Sequence, residues 1–239
     1  MTSQLNILHS FKSKNYDSRK AKVSFIILHY TETENLHQAV KLLTANERKV
    51  SCHYLIDKNG KTYNLVCETK RAWHAGISEW KNLDDINSRS IGIEIVNSGE
   101  KYQCKYPDIQ INALIQLIKY LSKKLKIPYQ NILGHSDVAP LRKIDPGKYF
   151  PWEKLHQNKI GLWTKSKIQN VPLENMDYLL LLKNLGKIGY PNIKDIIKKK
   201  EKNLVIDSFH RHFIPNLVGK NPTKTSLEKS IDLLKIKLS

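Results

Sequence analysis

Residues 131–152, NILGHSDVAPLRKIDPGKYFPW, carry His135, Lys143 and Asp145 within a short span. Pro140 and Pro146 interrupt the run, so it reads as a shaped loop and not as one helix. Such a loop needs partners for its backbone and polar side chains. A metal ion is one of the few groups that can provide them while gathering an imidazole and a carboxylate. His135 and Asp145 are therefore two candidate ligands, and a third is needed. Residues 23–28, VSFIIL, form a continuous β-branched apolar run, the pattern of a buried strand, and deliver His29 at its C-terminal end. Catalytic zinc takes three protein ligands and leaves a position for water, and His29, His135 and Asp145 meet that count. The chain has nine histidines, and any one alone is more readily a histidine satisfied by a backbone partner. Context separates these two from the rest.

Two more residues fit such a site. In residues 90–96, SIGIEIV, Ile91, Ile93 and Ile95 alternate with Gly92 and Glu94, so Glu94 lies on the opposite strand face from the isoleucines. That face points either to water or to the metal. In the second case Glu94 would take the proton of an attacking water, with its pKa raised by partial desolvation. Lys143 could stabilise the oxyanion formed at a carbonyl carbon, although taken alone, in so lysine-rich a chain, it reads more readily as a solvated loop lysine.

The elements that must position these groups follow from periodicity. Residues 1–21 read as an irregular polar arm. Residues 35–46 place Leu36, Ala39, Val40 and Leu43 at helical spacing, and Lys58-Asn59-Gly60 between two short apolar runs predicts a hairpin. Residues 71–80, RAWHAGISEW, and the polar 82–89 read as a long functional loop. Residues 110–126 carry Ile111, Leu114, Ile115, Ile118, Leu121 and Leu125 on one helical stripe, and 131–133 read as the last strand. The expected fold is α/β (α+β), a central mixed β-sheet flanked by helices. After a polar linker at 164–175, residues 176–239 predict a small all-helical domain of three helices. Its inner stripes would be Leu179, Leu182, Leu185; Ile193, Ile196, Ile197, Val205, Ile206, Phe209, Phe213; and Leu227, Ile231, Leu234, Leu238.

Composition closes off other classes. Cys52, Cys67 and Cys104 form no CxxC pair, which excludes an all-thiolate zinc site and a disulfide framework. No run approaches a membrane span, and the N-terminal residues lack the apolar stretch of a secretory signal, which points to the cytoplasm unless the chain is trimmed or exported by another route. The net charge of +18 suggests an anionic partner, but residues 1–164 hold 25 Lys and Arg against 15 Asp and Glu, and residues 165–239 hold 15 against 7. The excess is spread along the chain, and KKKEK at 198–202 reads as a solvated helix face, so no nucleic acid is expected as partner.

Four segments together resemble a known family: ILHYT (27–31), AWHAGISEW (72–80), NSRSIGIEIVNSG (87–99) and GHSDVAPLRKIDPGKYFPW (134–152). They are similar to the zinc-dependent N-acetylmuramoyl-L-alanine amidases of the AmpD and AmiD type, whose fold group includes the peptidoglycan recognition proteins. The resemblance implies one Zn2+ per chain on His29, His135 and Asp145, Glu94 as catalytic glutamate and Lys143 assisting at the carbonyl. It implies a substrate-groove loop at Trp73, His74, Ala75 and Gly76, with Arg71 and Asn87 as candidates for holding the acidic stem peptide. Phage amidases and recognition proteins carry Cys at the third ligand position, so Asp145 places the chain on the AmpD-like side. On this reading residues 22–163 are a zinc amidase domain. Residues 176–239, with LLKNLGKIGYPN and IDSFHRHFIP, resemble three-helix peptidoglycan-binding domains, as a glycan-binding appendage or a structural cover. The implied activity is hydrolysis of the muramoyl–L-alanine amide of peptidoglycan or muropeptides. The alternative is a peptidoglycan-binding protein that does not cut.

Overall fold

In the computed structural model, which describes residues 5–165, 169–191 and 198–238, the apolar run after the arm becomes a buried interior strand of the sheet. Chain order begins with β1 (Ile7–Leu8), β2 (Tyr16–Ser18) and that buried strand, β3 (Phe25–Tyr30), followed by helix α1 (Leu36–Thr44). The Asn-Gly turn joins β4 (Tyr54–Ile56) to β5 (Thr62–Asn64) as an antiparallel hairpin. Then come β6 (Lys70–Ala72), the short α2 (Ile86–Arg89), β7 (Ser90–Ile95), the long α3 (Asp108–Leu125), β8 (Ile132–Gly134), the single turn α4 (His135–Val138) and α5 (Trp152–Gln157). Three helices complete the chain: α6 (Asn175–Ile188), α7 (Lys199–Phe213) and α8 (Lys224–Leu238). The six-stranded sheet has the order β1-β5-β4-β7-β3-β8, mixed in direction, with β3 parallel to both neighbours.

Period-two alternation divides the side chains of β3 and β7 between the two sides of the sheet. Ile26 and Leu28 of β3, with Ile91, Ile93 and Ile95 of β7, pack against Ile111, Leu114, Ile115, Ile118 and Leu121 of α3. On the other side, Phe25 and Ile27 join a cluster with Leu133, Val138, Trp80 and apolar residues of α6, α7 and α8. The C-terminal helices thus share one continuous core with the sheet. His29 continues the Phe25–Ile27 face, and Glu94 sits opposite it in the β3–β7 register. Both lie near the carboxyl ends of parallel strands, where α/β sheets place their ligands.

Three expectations need correction. The arm is not wholly irregular: β1 pairs with β5 and β2 with β6. Pairs of two or three residues add edge hydrogen bonds without a side-chain period, so no pattern announces them. Buried Asn15 pins the arm by donating to the carbonyls of Ala45 and Val50 at 2.8 and 2.9 Å. The polar stretch 82–89 ends in α2, capped by Asp85. In α6, Leu179 is 57% exposed, whereas Leu181, Leu182, Leu185 and Ile188 are buried. Steps of three residues walk about 60° backwards around a helix per step, whereas Leu181, Leu185 and Ile188 stay on one side. Ile193, Ile196, Ile197 and the side chain of Leu238 lie outside the described residues. No helix among the described residues is long and apolar enough to cross a membrane.

Candidate metal centre and active site

His29 near the end of β3, His135 at the start of α4 and Asp145 in the following loop converge. His29 Nδ1 and His135 Nδ1 are 3.0 Å apart, and each lies 3.0 Å from Asp145 Oδ2. All three are buried, at 1%, 3% and 7% exposure. Among the described residues this is the one grouping of three His, Cys, Asp or Glu ligand atoms close enough to hold an ion. The loop closes on itself where the Ser136 N–H donates to the Asp145 carbonyl at 2.8 Å, which brings the two ends of the sequence motif together.

Proton accounting shows what these atoms offer. Hydrogen positions follow here from the network. Ser90 Oγ lies 2.5 Å from the Ile86 carbonyl, which can only accept, so the hydroxyl donates there and accepts from His74 Nε2–H at 3.2 Å. A neutral His74 then has a bare Nδ1, which accepts from His29 Nε2–H at 3.0 Å. His135 Nε2–H donates to the Ala75 carbonyl at 3.1 Å. Both ligand histidines therefore turn an unprotonated Nδ1 toward Asp145. Burial, then the neighbouring His135, pushes His29 down to about 4, which keeps it neutral near pH 7. Three lone pairs within 3.0 Å of one another repel unless a cation lies among them. Two imidazole nitrogens and one carboxylate oxygen are a donor set that suits zinc and leaves a coordination position open. The hydrogen bonds on the far nitrogens are the usual means of orienting such ligands.

Glu94 and Lys143 line the same cleft, of about 430 Å³, with the three ligand residues, Trp73, His74 and Arg142. Glu94 is half-buried as a residue, but its Oε2 is sealed from solvent and has no hydrogen-bond partner among the described residues. Burial, then the charge of Asp145, pushes its pKa up to about 8, opposed by Lys143. A cation at the ligand triad opposes Asp145 in the same way and favours the base form.

The residues expected to contact substrate divide. Trp73 lines the cleft, its indole N–H donating to Asp17 at 3.2 Å. His74 also lines it, but both ring nitrogens serve the chain from Ser90 to His29, so its geometry supports a ligand. Asn87 is buried and accepts from the N–H groups of His74 and Ala75 at 3.0 and 2.7 Å, which shapes the loop from inside. Ala75 contributes its carbonyl to His135 and Arg142. Gly76 lies against the Arg142 guanidinium, 2.9 Å from where a Cβ would stand. Arg71 is paired with Asp17 and Asp85 at 3.2 and 2.8 Å. It lines a separate surface depression with Gly76, Asp84 and Arg89, so the structure places it away from the cleft.

Sequence reading missed Ser90, Gly92 and Arg142. Gly92 carried the available signal: a glycine on the Glu94 face of a strand marks a close approach. A Cβ there would lie 2.4 Å from the His74 ring. Arg142, inside the loop motif, donates to the carbonyls of Ala75 and Ile77 and gave no periodic signal.

The family profile Amidase_2, N-acetylmuramoyl-L-alanine amidase, matches residues 19–148. N-acetylmuramoyl-L-alanine amidase AmiD of Escherichia coli (strain K12) is 36% identical over an alignment 215 residues long that covers 82% of this chain and 76% of AmiD. The structure of that protein complexed with anhydro-N-acetylmuramic acid-L-Ala-D-gamma-Glu-L-Lys is similar with a TM-score of 0.80 and 31% identity, covering 92% of each chain. AmpDh3 from Pseudomonas aeruginosa in complex with anhydromuramic pentapeptide gives a TM-score of 0.79 and 29% identity over 96% of this chain and 99% of its own. An AmpD structure gives 0.56 and 27%, covering 65% of this chain and 94% of its own, so part of this chain has no counterpart there. With the profile matching more than half of the sequence and AmiD most of it, the chain belongs to the N-acetylmuramoyl-L-alanine amidase family.

Proposed function

We propose that this chain hydrolyses the amide bond between the lactyl carbonyl of N-acetylmuramic acid and L-alanine, in peptidoglycan or its fragments, during cell-wall turnover or recycling. His29, His135 and Asp145 would hold one Zn2+. The observation that carries the reading is the pair of unprotonated Nδ1 atoms facing Asp145 beside Glu94, whose sealed Oε2 has no partner among the described residues. When bound, zinc supplies Lewis acidity. The remaining work belongs to the chain's own side chains. Glu94 takes the proton of the attacking water and returns it to the departing amine of L-alanine, a role for which burial and a neighbouring charge have tuned it. The Lys143 ammonium faces the charge that develops on the carbonyl oxygen. Trp73 forms part of the wall of the cleft in which both groups act.

Such a site cuts rather than merely holds, because ligand triad and base are all present in one cleft. AmiD and AmpDh3 are named in complex with an anhydromuramoyl tripeptide and pentapeptide respectively, which makes an anhydro-muropeptide the first substrate to offer. Mass spectrometry of that muropeptide after incubation should show free peptide and anhydro-sugar, with cleavage lost on chelation and restored by zinc. Binding without cleavage in zinc-loaded protein would leave the non-cutting receptor. Tight, salt-sensitive DNA binding without muropeptide turnover would turn the case toward the charge.

A further inference from the structure

The three C-terminal helices meet the metal loop through polar side chains of α7 that the proposed chemistry does not use. Ser208, Arg211 and His212 stand at i, i+3 and i+4, on one side of that helix. Ser208 Oγ donates to the Ser136 carbonyl at 2.6 Å, one residue after the ligand His135. His212 Nδ1 donates to Asp137 Oδ2 at 2.8 Å, and the same oxygen accepts the Gly134 N–H at 2.7 Å, closing the turn that presents His135. The His212 ring is stacked on Trp152 with centroids 3.7 Å apart. Arg211 Nε donates to Glu100 Oε2 at 3.1 Å, and that oxygen accepts the Lys148 N–H at 2.8 Å, three residues beyond the ligand Asp145. Ser208, His212 and Asp137 are 0%, 3% and 1% exposed. Both ends of the segment that carries His135 and Asp145 are therefore tied to one helix, with Glu100 as the intermediary at the second.

We infer that α7 is a positioning element for the metal centre: Ser208, Arg211 and His212 hold the backbone on either side of His135 and Asp145 so that their ligand atoms meet. Docking of the C-terminal helices and affinity for the ion are then coupled, which gives these helices a task distinct from gripping glycan. The inference rests on reading the triad as a zinc site.

The test uses the full chain and measures zinc affinity by competition with a chromophoric chelator. His212→Phe keeps the stack on Trp152 and removes the donor, and Arg211→Met removes the link to Glu100. Together they should weaken zinc binding about 10- to 100-fold, the usual effect of outer partners of metal ligands. The control is Asn184→Ala, which breaks a buried α6–α8 hydrogen bond of 3.0 Å to Ser230 far from the loop. It should lower the melting temperature while leaving zinc affinity at the wild-type value. His212→Asn, whose amide can replace the ring donor, should recover most of the affinity. If the double variant fails to fold, Ser208→Ala asks the same question with a severalfold loss expected. Wild-type affinity in the loop-facing variants, or equal losses in those and in Asn184→Ala, overturns the inference. A wild-type chain that binds no zinc at all overturns instead the metal reading beneath it.

Discussion

His135 and Asp137 stand two residues apart in one helical turn, and each belongs to a buried cluster of carboxylate and imidazole. Around Asp137 the donors match the acceptors. Oδ1 receives the Tyr190 hydroxyl at 2.8 Å, and Oδ2 receives His212 Nδ1–H and the Gly134 N–H. Only His212 Nε2 lacks a partner there among the described residues. Around Asp145 the count fails. The protons of His29 and His135 point away, toward His74 and the Ala75 carbonyl, and three lone-pair atoms are left facing one another. Both clusters are buried and pair imidazole with carboxylate, one histidine at Asp137 and two at Asp145, and what separates them is where the hydrogens go. A cluster complete in itself is structure, whereas one short of positive charge is a binding site.

Breaking the donor-poor cluster should cost most. Asp145→Ala removes one of the three proposed ligands, so zinc content should fall from one per chain toward zero. Muropeptide hydrolysis should drop by about 10³-fold or more, given that the ion supplies several kcal/mol. Metal analysis and turnover on one sample check both, and full zinc occupancy in the variant would remove Asp145 from the site. Glu94→Gln separates chemistry from binding: hydrolysis should fall about 10²- to 10⁴-fold, with zinc content unchanged. Ordinary turnover in that variant would release Glu94 from the mechanism.

Smaller effects sharpen the comparison. Ser90→Ala removes the end of the chain of donors that sets the His74 and His29 protons. Zinc affinity should weaken about 10-fold, and an unchanged dissociation constant would show that His29 keeps its tautomer without help. Arg71→Gln should matter least. Its partners Asp17 and Asp85 are partly exposed, and pairs of that kind contribute about 0–1 kcal/mol. KM for the muropeptide should stay at the wild-type value, and a severalfold rise would return Arg71 to substrate binding.

Much of the fold was legible because burial leaves a period. The isoleucine alternation in β7, the stripe on α3 and the Asn-Gly hairpin follow from local geometry alone. Arg71 was not legible in that way: a guanidinium suits a substrate carboxylate and a neighbouring aspartate equally, and only the pairing of β2 with β6 brings Asp17 beside it. Nor was Leu179, since an apolar residue at a plausible spacing does not say which side of its helix the rest of the protein covers. Strand-end and proline-loop context put His29, His135 and Asp145 forward, and the family resemblance then set them, with Glu94, above the many similar residues of the chain.

The sequence by itself determined the donor types, the strand that ends at His29, and the prolines that shape the loop of His135 and Asp145. It did so because covalent order and period-two or 3.6-residue repeats act over a few neighbours. Tertiary structure decided that His29 and His135, 106 positions apart, share one ion-sized space and that their protons point away from it. It also decided that α7 reaches the loop from outside the matched profile. Those outcomes depend on which donors and acceptors meet once the chain is folded, and hydrogen-bond complementarity between distant segments leaves no local trace.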